Sequence, residues 1–214
     1  IPEPDFNGQD SFTYTVKDDA GNVSNEATVT VNVTATDEPI VTTVVHQTDD
    51  ITTGSGDDII SGKHIEGEAI VTTGAGVDTV GVEEIKGTAQ IFTESGNDII
   101  TVGKLKDSVS IDMGEGEDTL TLTGTEAKST NEITLGAGQD TLILTNILST
   151  DISGIDGQGG AYIVSIAGGI PTIVISNGHK IDLTVSGAER IEFKDAIYEF
   201  DTTSGTYLWE SGDS

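Results

Sequence analysis

Apolar and polar residues alternate along two short stretches near the amino end. Phe12, Tyr14 and Val16 alternate with polar residues, and residues 27–33 show the same period of two. This period is typical of half-buried β-strands, and residues 18–22 between the stretches have the composition of a turn. The pattern predicts a β-hairpin, which must pack on another element because two strands alone bury no core.

Between residues 41 and 150 the apolar positions recur about every 20 residues. Aspartates at positions 58, 78, 98, 118 and 140 mark the period, and apolar residues such as Ile60, Val80 and Ile91 keep fixed distances from them. A constant period means that each residue stacks on its equivalent in the next repeat. This segment is therefore predicted to be a parallel β-solenoid whose apolar side chains fill a narrow axial core. At about 4.8 Å per coil, five coils form a rod about 24 Å long.

Each repeat contains a turn motif, Gly-x-Gly-x-Asp, just before a strand. Complete copies occupy residues 54–58, 74–78, 114–118 and 136–140, and the copy at 94–98 has Glu94 in place of the first glycine. Gly67, Gly87 and Asp107 recur with the same period, which predicts a second corner of the coil. Two additional residues around 125–130 predict an external bulge.

Beyond residue 150 the period is lost. Residues 161–164, 172–175 and 181–185 predict strands, and residues 189–200 predict another hairpin. We expect an aromatic cap here, because a solenoid end otherwise exposes its core and its strand edges. The prediction is an all-β fold with a hairpin and linker over residues 1–40, a parallel β-solenoid over 41–150 and a β cap over 151–214. The candidate sealing aromatics are Phe193, Tyr198, Phe200 and Trp209.

The charge of the chain limits its partners. There are 9 Lys and Arg residues against 37 Asp and Glu residues, a formal net charge of −28. Nucleic acid is excluded as a natural partner because phosphate binding requires cationic side chains, and an anionic membrane surface is disfavoured. Cysteine is absent, which excludes disulfides, Cys-ligated zinc and a thiol nucleophile.

The sequence has no apolar run long enough to span a membrane and no basic-then-apolar leader. We expect the chain to be a piece of a longer protein, so the missing leader does not place it in the cytosol.

The turn motif supplies the oxygen ligands that calcium prefers. Glycine allows positive φ and exposes main-chain carbonyls, and the aspartate adds a carboxylate. Aspartates stacked about 4.8 Å apart repel by about 3.5 kcal/mol per pair at an effective dielectric near 20, so the column needs a cation between coils. The candidate ligands are Asp58, Asp78, Asp98, Asp118, Asp140, Gly54, Gly56, Gly74, Gly76, Gly96, Gly114, Gly116, Gly136, Gly138, Asp57 and Asn97.

Gly-x-Gly-x-Asp followed by x-Ile, x-Val or x-Leu resembles the calcium-binding repeats of RTX proteins, which type I systems secrete. The resemblance covers about residues 50–145 and implies ligation by the motif aspartates and turn carbonyls. The usual family repeat has nine residues and places calcium turns on both sides of a coil. This chain has one motif per 20 residues, which is closer to giant RTX adhesins and implies a single row of ions.

Two flanking segments extend the resemblance to adhesins. Residues 5–16 are similar to the closing strands of cadherin-like or bacterial immunoglobulin-like modules, and residues 185–193 resemble the strand that closes many RTX blocks. The resemblance implies a secreted, extracellular or cell-surface module that is structural rather than catalytic and folds on binding calcium. Its expected partners are calcium ions and neighbouring domains of the same long chain.

An accessory module of an extracellular polysaccharide-modifying enzyme is the first alternative. Catalysis by the chain itself is not expected, because it has three scattered histidines and no recurring acid–base constellation. Arg190 is the only arginine, whereas an enzyme acting on uronates needs cationic clamps.

A ligand-binding adhesin domain is the second alternative. An ice-binding array on the calcium-bearing side would begin with Thr52 and Thr72, but Phe92 and Asp112 interrupt it. A glycan or peptide could instead stack on aromatic residues of the cap, although sealing the solenoid is their simpler role. These residues are Tyr162, Tyr198, Tyr207 and Trp209.

Overall fold

The computed structural model describes residues 8–34, 39–41, 44–45, 49–124, 131–148, 161–167, 170–176 and 182–211. Within these residues the fold is all-β, as predicted, and contains no helix. The strands are β1 Gly8–Tyr14, β2 Ala27–Val33, β3 Pro39–Val41, β4 Val44–Val45, β5 Asp50–Thr52, β6 Ile59–Ile65, β7 Ile70–Thr72, β8 Thr79–Ile85, β9 Gln90–Phe92, β10 Ile99–Leu105, β11 Ser110–Asp112, β12 Thr119–Leu122, β13 Asn131–Thr134, β14 Thr141–Leu144, β15 Ala161–Ala167, β16 Ile170–Ser176, β17 Asp182–Ser186, β18 Arg190–Phe193, β19 Ile197–Asp201 and β20 Thr206–Ser211.

The amino-terminal strands form the predicted hairpin. β1 pairs antiparallel with β2 in a separate two-stranded sheet, and Phe12 lies opposite Val29. The apolar residues share one face, which is open to solvent, with Phe12 57% and Tyr14 49% exposed. The expectation that this hairpin packs on another element is therefore not met within the described residues.

Two parallel sheets build the predicted β-solenoid. The first runs β3-β6-β8-β10-β12-β14-β18 in parallel, with β4 also paired to β6, and the second runs β5-β7-β9-β11-β13-β17. The register matches residues one period apart, so that Ile60 pairs with Val80 and Val80 with Ile100. These side chains are fully buried, and they form the axial core together with Val71 and Ile91 from the facing sheet.

The second corner also forms where the sequence predicts it. Gly67 has φ 78°, Gly87 has φ 83° and Asp107 has φ 68°, so all three adopt the left-handed conformation that a tight corner needs. Asp107 tolerates this conformation as aspartates do, and its carboxylate accepts a hydrogen bond from the Gly87 N–H at 3.0 Å. The predicted bulge at residues 125–130 lies outside the described residues, as do residues 35–38 of the linker.

The carboxyl-terminal region continues the solenoid and then closes it. β17 and β18 pair in parallel with β13 and β14, so they form a further coil after the last motif aspartate. β15 and β16 extend one sheet antiparallel, and β19 and β20 extend the other. Phe193 and Tyr207 are buried against the core, as expected for a cap. The apparent loss of the period therefore hides one more coil.

Candidate metal column

The five motif turns stack directly on one another. Their second residues form parallel bridges in the order Ser55, Ala75, Ser95, Glu115 and Ala137. In each step the second-position N–H donates to the first-position carbonyl of the preceding coil, as from Ala75 to Gly54 at 3.0 Å. The turn with Glu94 keeps the same bonding, because Glu94 adopts a φ of 65°.

Glycine at the third motif position is required by the stacking distance. Gly116 has φ 152°, and a Cβ there would overlap the carbonyl oxygen of Gly96 one coil below. The same overlap would occur at Gly76 and Gly96. A Cβ at the first-position glycines Gly74, Gly114 and Gly136 would overlap the first-position carbonyl oxygen of the coil below in the same way, although Glu94 occupies this position in one copy.

The motif aspartates form a buried column inside these turns. Asp58, Asp78, Asp98, Asp118 and Asp140 are each at most 1% exposed. The N–H of each of the first four aspartates donates to Oδ1 of the aspartate in the next coil, at 2.9 Å from Asp78 to Asp98 and 2.8 Å from Asp98 to Asp118. Each of these hydrogen bonds therefore links the main chain of one coil to a carboxylate of the next coil.

The second oxygen of these carboxylates has no partner. Oδ2 of Asp78, Asp98, Asp118 and Asp140 is buried and accepts no hydrogen bond. Leaving a buried acceptor unsatisfied costs about 1–3 kcal/mol, and more when the group is charged. A row of such oxygens in the interior of a stable fold needs an explanation, such as a bound ion.

Burial raises the pKa of these carboxyls. Desolvation is the main cause in each case, raising the pKa of Asp118 to about 6 and that of Asp140 to about 7. The pKa values of Asp78 and Asp98 are raised for the same reason. The neighbouring carboxylates add to the rise, because each charge disfavours ionisation of the next.

A threonine column that sequence reasoning missed accompanies the first three aspartates. Thr53, Thr73 and Thr93 stand five positions before them and are buried. The hydroxyls of Thr73 and Thr93 oppose the rise in pKa at the aspartates of their own coils, although neither completes a hydrogen bond with the carboxylate. The equivalent residues in the next two coils are Met113 and Leu135, which have no hydroxyl. The aspartates of these two coils, Asp118 and Asp140, are the ones whose pKa rises furthest. A three-member column of Thr before the motif was the available sequence signal.

Main-chain carbonyls line the same turns. Those of the first position, including Gly54, Gly74 and Gly114, already accept hydrogen bonds from the next coil. Within the described residues, no main-chain donor reaches the third-position carbonyls of Gly76, Gly96 and Gly116. In the same part of the chain no three His, Asp or Glu side chains form a metal-binding group. A cation in this column would therefore take carbonyl oxygens together with one or two carboxylates, a donor set that suits calcium.

Two of the predicted ligands lie elsewhere. Asp57 and Asn97 are exposed on the outside of the turns, whereas Asp58 and Asp98 beside them are buried. Asp57 Oδ1 accepts from the Val77 N–H at 2.8 Å, and Asn97 Oδ1 accepts from the Glu117 N–H at 2.9 Å. The structure therefore does not bring these two side chains together with the buried column.

Comparisons with known proteins bear on the amino-terminal part. A family model for a bacterial Ig domain matches residues 1–34. This match agrees with the predicted immunoglobulin-like character of the hairpin. Searches of curated proteins and of solved structures returned no match. No helix in the described part of the chain is long and apolar enough to cross a membrane.

Proposed function

We propose that this chain is a non-catalytic, calcium-binding structural module of a large extracellular adhesin of the RTX type, and that its solenoid folds when calcium binds. The observation that carries the proposal is the buried carboxylate column, in which Oδ2 of successive aspartates has no hydrogen-bond partner. Like charges in this position oppose stacking, and a divalent cation would reverse the sign of that interaction.

The residues that would hold the ions are the motif aspartates and the third-position glycines. Asp78, Asp98 and Asp118 offer their Oδ2 atoms, and Gly76 and Gly96 offer carbonyls that accept no main-chain hydrogen bond. The chemistry that calcium supplies is charge neutralisation with a flexible shell of oxygen ligands. The chain's contribution is to present these oxygens at a fixed spacing, since the inter-coil hydrogen bonds set the separation of the turns.

Binding at extracellular calcium levels is sufficient to control folding. A site with a Kd of about 10⁻⁴ M, in the range of extracellular modules, stabilises the fold by about 1.4 kcal/mol at about 1 mM calcium. A row of such sites contributes several kcal/mol, which is comparable with the whole stability of a typical domain. The same chain would stay open in a cytosol low in calcium and fold after export.

The surroundings of the column agree with a structural role outside the cell. The match of residues 1–34 to a bacterial Ig domain supports a chain of modules, as in surface adhesins. Lys86 and Lys106 of the solenoid and Arg190 of the cap form ion pairs with acids at 2.6–2.8 Å. These pairs leave little positive charge for a polyanionic ligand, which disfavours a role in cleaving or binding uronates.

Calcium titration followed by circular dichroism tests the folding switch. We expect the β-sheet signal and the melting temperature to rise with calcium and to fall again with excess chelator, while magnesium and matched sodium chloride have little effect. Unchanged β content and melting temperature in chelator would rule out the switch.

The number of bound ions tests the sharing of ligands between coils. Asp98→Ala removes a carboxylate that borders two gaps, a gap being the space between the motif aspartates of neighbouring coils. Isothermal titration calorimetry should therefore show two weakened sites. Asp112→Ala makes the same change in a partly exposed residue of β11 outside the column and should leave the ion count unchanged. An ion count equal to wild type in Asp98→Ala would contradict shared ligation.

One observation favours a second candidate function, the binding of an ordered uncharged surface such as ice. The outer face of the first sheet carries two columns of aligned residues without a single charge across five coils. These columns are Ile59, Thr79, Ile99, Thr119 and Thr141, and Ser61, Gly81, Thr101, Thr121 and Ile143. Their spacing is about 4.8 Å between coils and about 6.6 Å along a strand, and apart from Gly81 these residues present methyl and hydroxyl groups.

The second sheet differs from this face. Thr52, Thr72, Phe92 and Asp112 align in register, so no uniform array forms there.

Thermal hysteresis and ice-recrystallisation assays in calcium test the uncharged face of the first sheet. Thr121→Tyr should abolish the activity, and the same change at Thr134 on the second sheet should not. No activity in the wild-type protein would end this candidate.

A further inference from the structure

The carboxylate column does not end at the last motif aspartate. The N–H of Asp140 donates to Glu189 Oε2 at 2.9 Å, as the N–H of Asp118 donates to Asp140 Oδ1 at 2.9 Å. Glu189 precedes β18, whose residues pair in parallel with β14. It therefore occupies the place that an aspartate holds in the coils below.

A shorter turn carries this glutamate. Ser186 pairs with Thr134 and Arg190 pairs with Thr141, so residues 187–189 replace the longer turn of residues 135–140. The Glu189 N–H also donates to the Asp140 carbonyl at 3.1 Å, so the main chain of this turn lies against the coil below. Glutamate has one more methylene group than aspartate, and its carboxylate still accepts the hydrogen bond from the Asp140 N–H.

The gap between Asp140 and Glu189 has the features of the gaps beneath it. Oδ2 of Asp140 is buried and has no hydrogen-bond partner, and Asp140 itself is 0% exposed. The charges that raise its pKa, after desolvation, are those of Glu189, Asp118 and Glu117, all negative. Burial also raises the pKa of Glu189. Two carboxylates thus meet here with an unsatisfied oxygen between coils.

The carboxyl-terminal hairpin grips this turn from the other side. The Phe200 N–H on β19 donates to the Glu189 carbonyl at 2.7 Å, and the Tyr207 hydroxyl on β20 donates to the Ala188 carbonyl. The Arg190 guanidinium bonds to Glu199 on β19 at 2.6 Å. The position of the Glu189 carboxylate therefore depends on the docking of β19 and β20.

We propose that Glu189 is an additional ligand that closes the column, and that a hard divalent cation bound between Asp140 and Glu189 couples the last coil to the docking of the β19–β20 hairpin. This inference rests on the proposed calcium binding by the solenoid. It adds a site with a mixed Asp and Glu ligand pair that the repeat motif does not contain, and it gives the cap a role in metal binding.

Counting calcium ions by native mass spectrometry of the full chain tests the ligand. Glu189→Gln keeps the size of the side chain and should bind one ion fewer than wild type. Glu132→Gln, the same change at an exposed position of β13, should bind the wild-type number. A wild-type count in Glu189→Gln, together with a reduced count in Asp98→Ala, overturns this inference and leaves the proposed function intact. No calcium bound to the wild-type protein overturns both.

A second variant keeps the test valid if Glu189→Gln does not fold. Tyr207→Phe removes only the hydroxyl that holds the Ala188 carbonyl, so it should weaken one site about tenfold, as outer-sphere changes do, and leave the ion count unchanged. Calcium should also slow hydrogen exchange of β19 and β20 in the wild-type protein and much less in this variant. Equal affinities and equal protection in the two proteins would overturn the coupling to the cap.

Discussion

Replacing Asp98 by asparagine tests the charge of the column while keeping its shape. The asparagine Oδ1 can still accept the hydrogen bond from Asp78, which measures 2.9 Å in the wild-type protein. The substitution removes one negative charge that lies between Asp78 and Asp118. Its effect on stability should therefore depend on whether calcium is present.

Without calcium, Asp98→Asn should stabilise the fold. Each flanking carboxylate repels Asp98 by about 3.5 kcal/mol at a spacing of about 4.8 Å and an effective dielectric near 20, so two neighbours set an upper limit of about 7 kcal/mol. Relaxation of the coils and solvent screening relieve part of this repulsion, whereas proton uptake relieves almost none of it at pH 8, because the pKa of Asp118 is about 6. We expect a net gain of about 2–4 kcal/mol at pH 8.

With calcium, the same substitution should destabilise the fold. It removes a charged ligand from two gaps, and losing a site worth about 1.4 kcal/mol in each amounts to about 3 kcal/mol at millimolar calcium. The sign of the mutational effect therefore inverts between chelator and calcium. A substitution that only disturbed packing would have the same sign in both.

Urea unfolding followed by circular dichroism provides the measurement. A stabilising osmolyte in all samples keeps the metal-free protein folded enough to give a baseline. Asp112→Asn, outside the column, is the control and should change stability by less than about 0.5 kcal/mol in either condition. Equal destabilisation of Asp98→Asn in chelator and in calcium would refute the role of column charge.

Three further predictions address the pH response and the turns. In chelator, the melting temperature should rise as pH falls from 8 to 5. The folded-state pKa values of about 6 at Asp118 and about 7 at Asp140 exceed the ordinary 3.8, so the folded state takes up protons before the unfolded state does. Excess calcium should reverse this trend, and a flat profile in chelator would contradict the buried column. Gly116→Ala should lower the free energy of unfolding in urea by at least about 3 kcal/mol, since its Cβ would overlap a carbonyl oxygen. Gly81→Ala, whose Cβ would have no atom within 4 Å, should lower it far less, and similar losses in both variants would argue against close stacking. Glu94→Gly should raise the free energy of unfolding by about 0.5–1 kcal/mol in the same assay, because glutamate is strained at a φ of 65°. A loss of stability would show that the Glu94 side chain contributes more than its backbone strain costs.

The solenoid could be predicted from sequence because its structure is translationally regular. Each coil repeats the environment of the one below, so buried positions such as Ile60, Val80 and Ile100 recur at a fixed interval and reveal the stacking. The corner at Gly67 and Gly87 follows from the same regularity. In such a fold the spacing of residues in the sequence also tells which residues contact each other, which is uncommon in other architectures.

Features that break the period could not be found in this way. The coil containing Glu189 has a shortened turn and follows the antiparallel strands β15 and β16, so neither its spacing nor its motif matches the others. Asp57 and Asp58 are adjacent carboxylates, and the period identifies only Asp58 as a recurring residue; that the Asp57 side chain lies on the exposed side of the turn is visible only in the structure. The solvent-exposed apolar face around Phe12 also could not be predicted, since alternation tells which residues share a face but not what covers that face.

The hydrogen bonds along the column all point the same way, and this gives the rod two unequal ends. Every aspartate N–H is satisfied by a carboxylate from a coil that comes later in the chain, and Glu189 satisfies the last. Removing coils from the amino end leaves a carboxylate that water can solvate. Removing them from the carboxyl end takes the acceptor from an aspartate N–H and also removes β20, whose Tyr207 is buried against the core. The protein should therefore tolerate removal of amino-terminal coils far better than removal of carboxyl-terminal coils. Folding is expected to begin at the cap and to add coils toward the amino end.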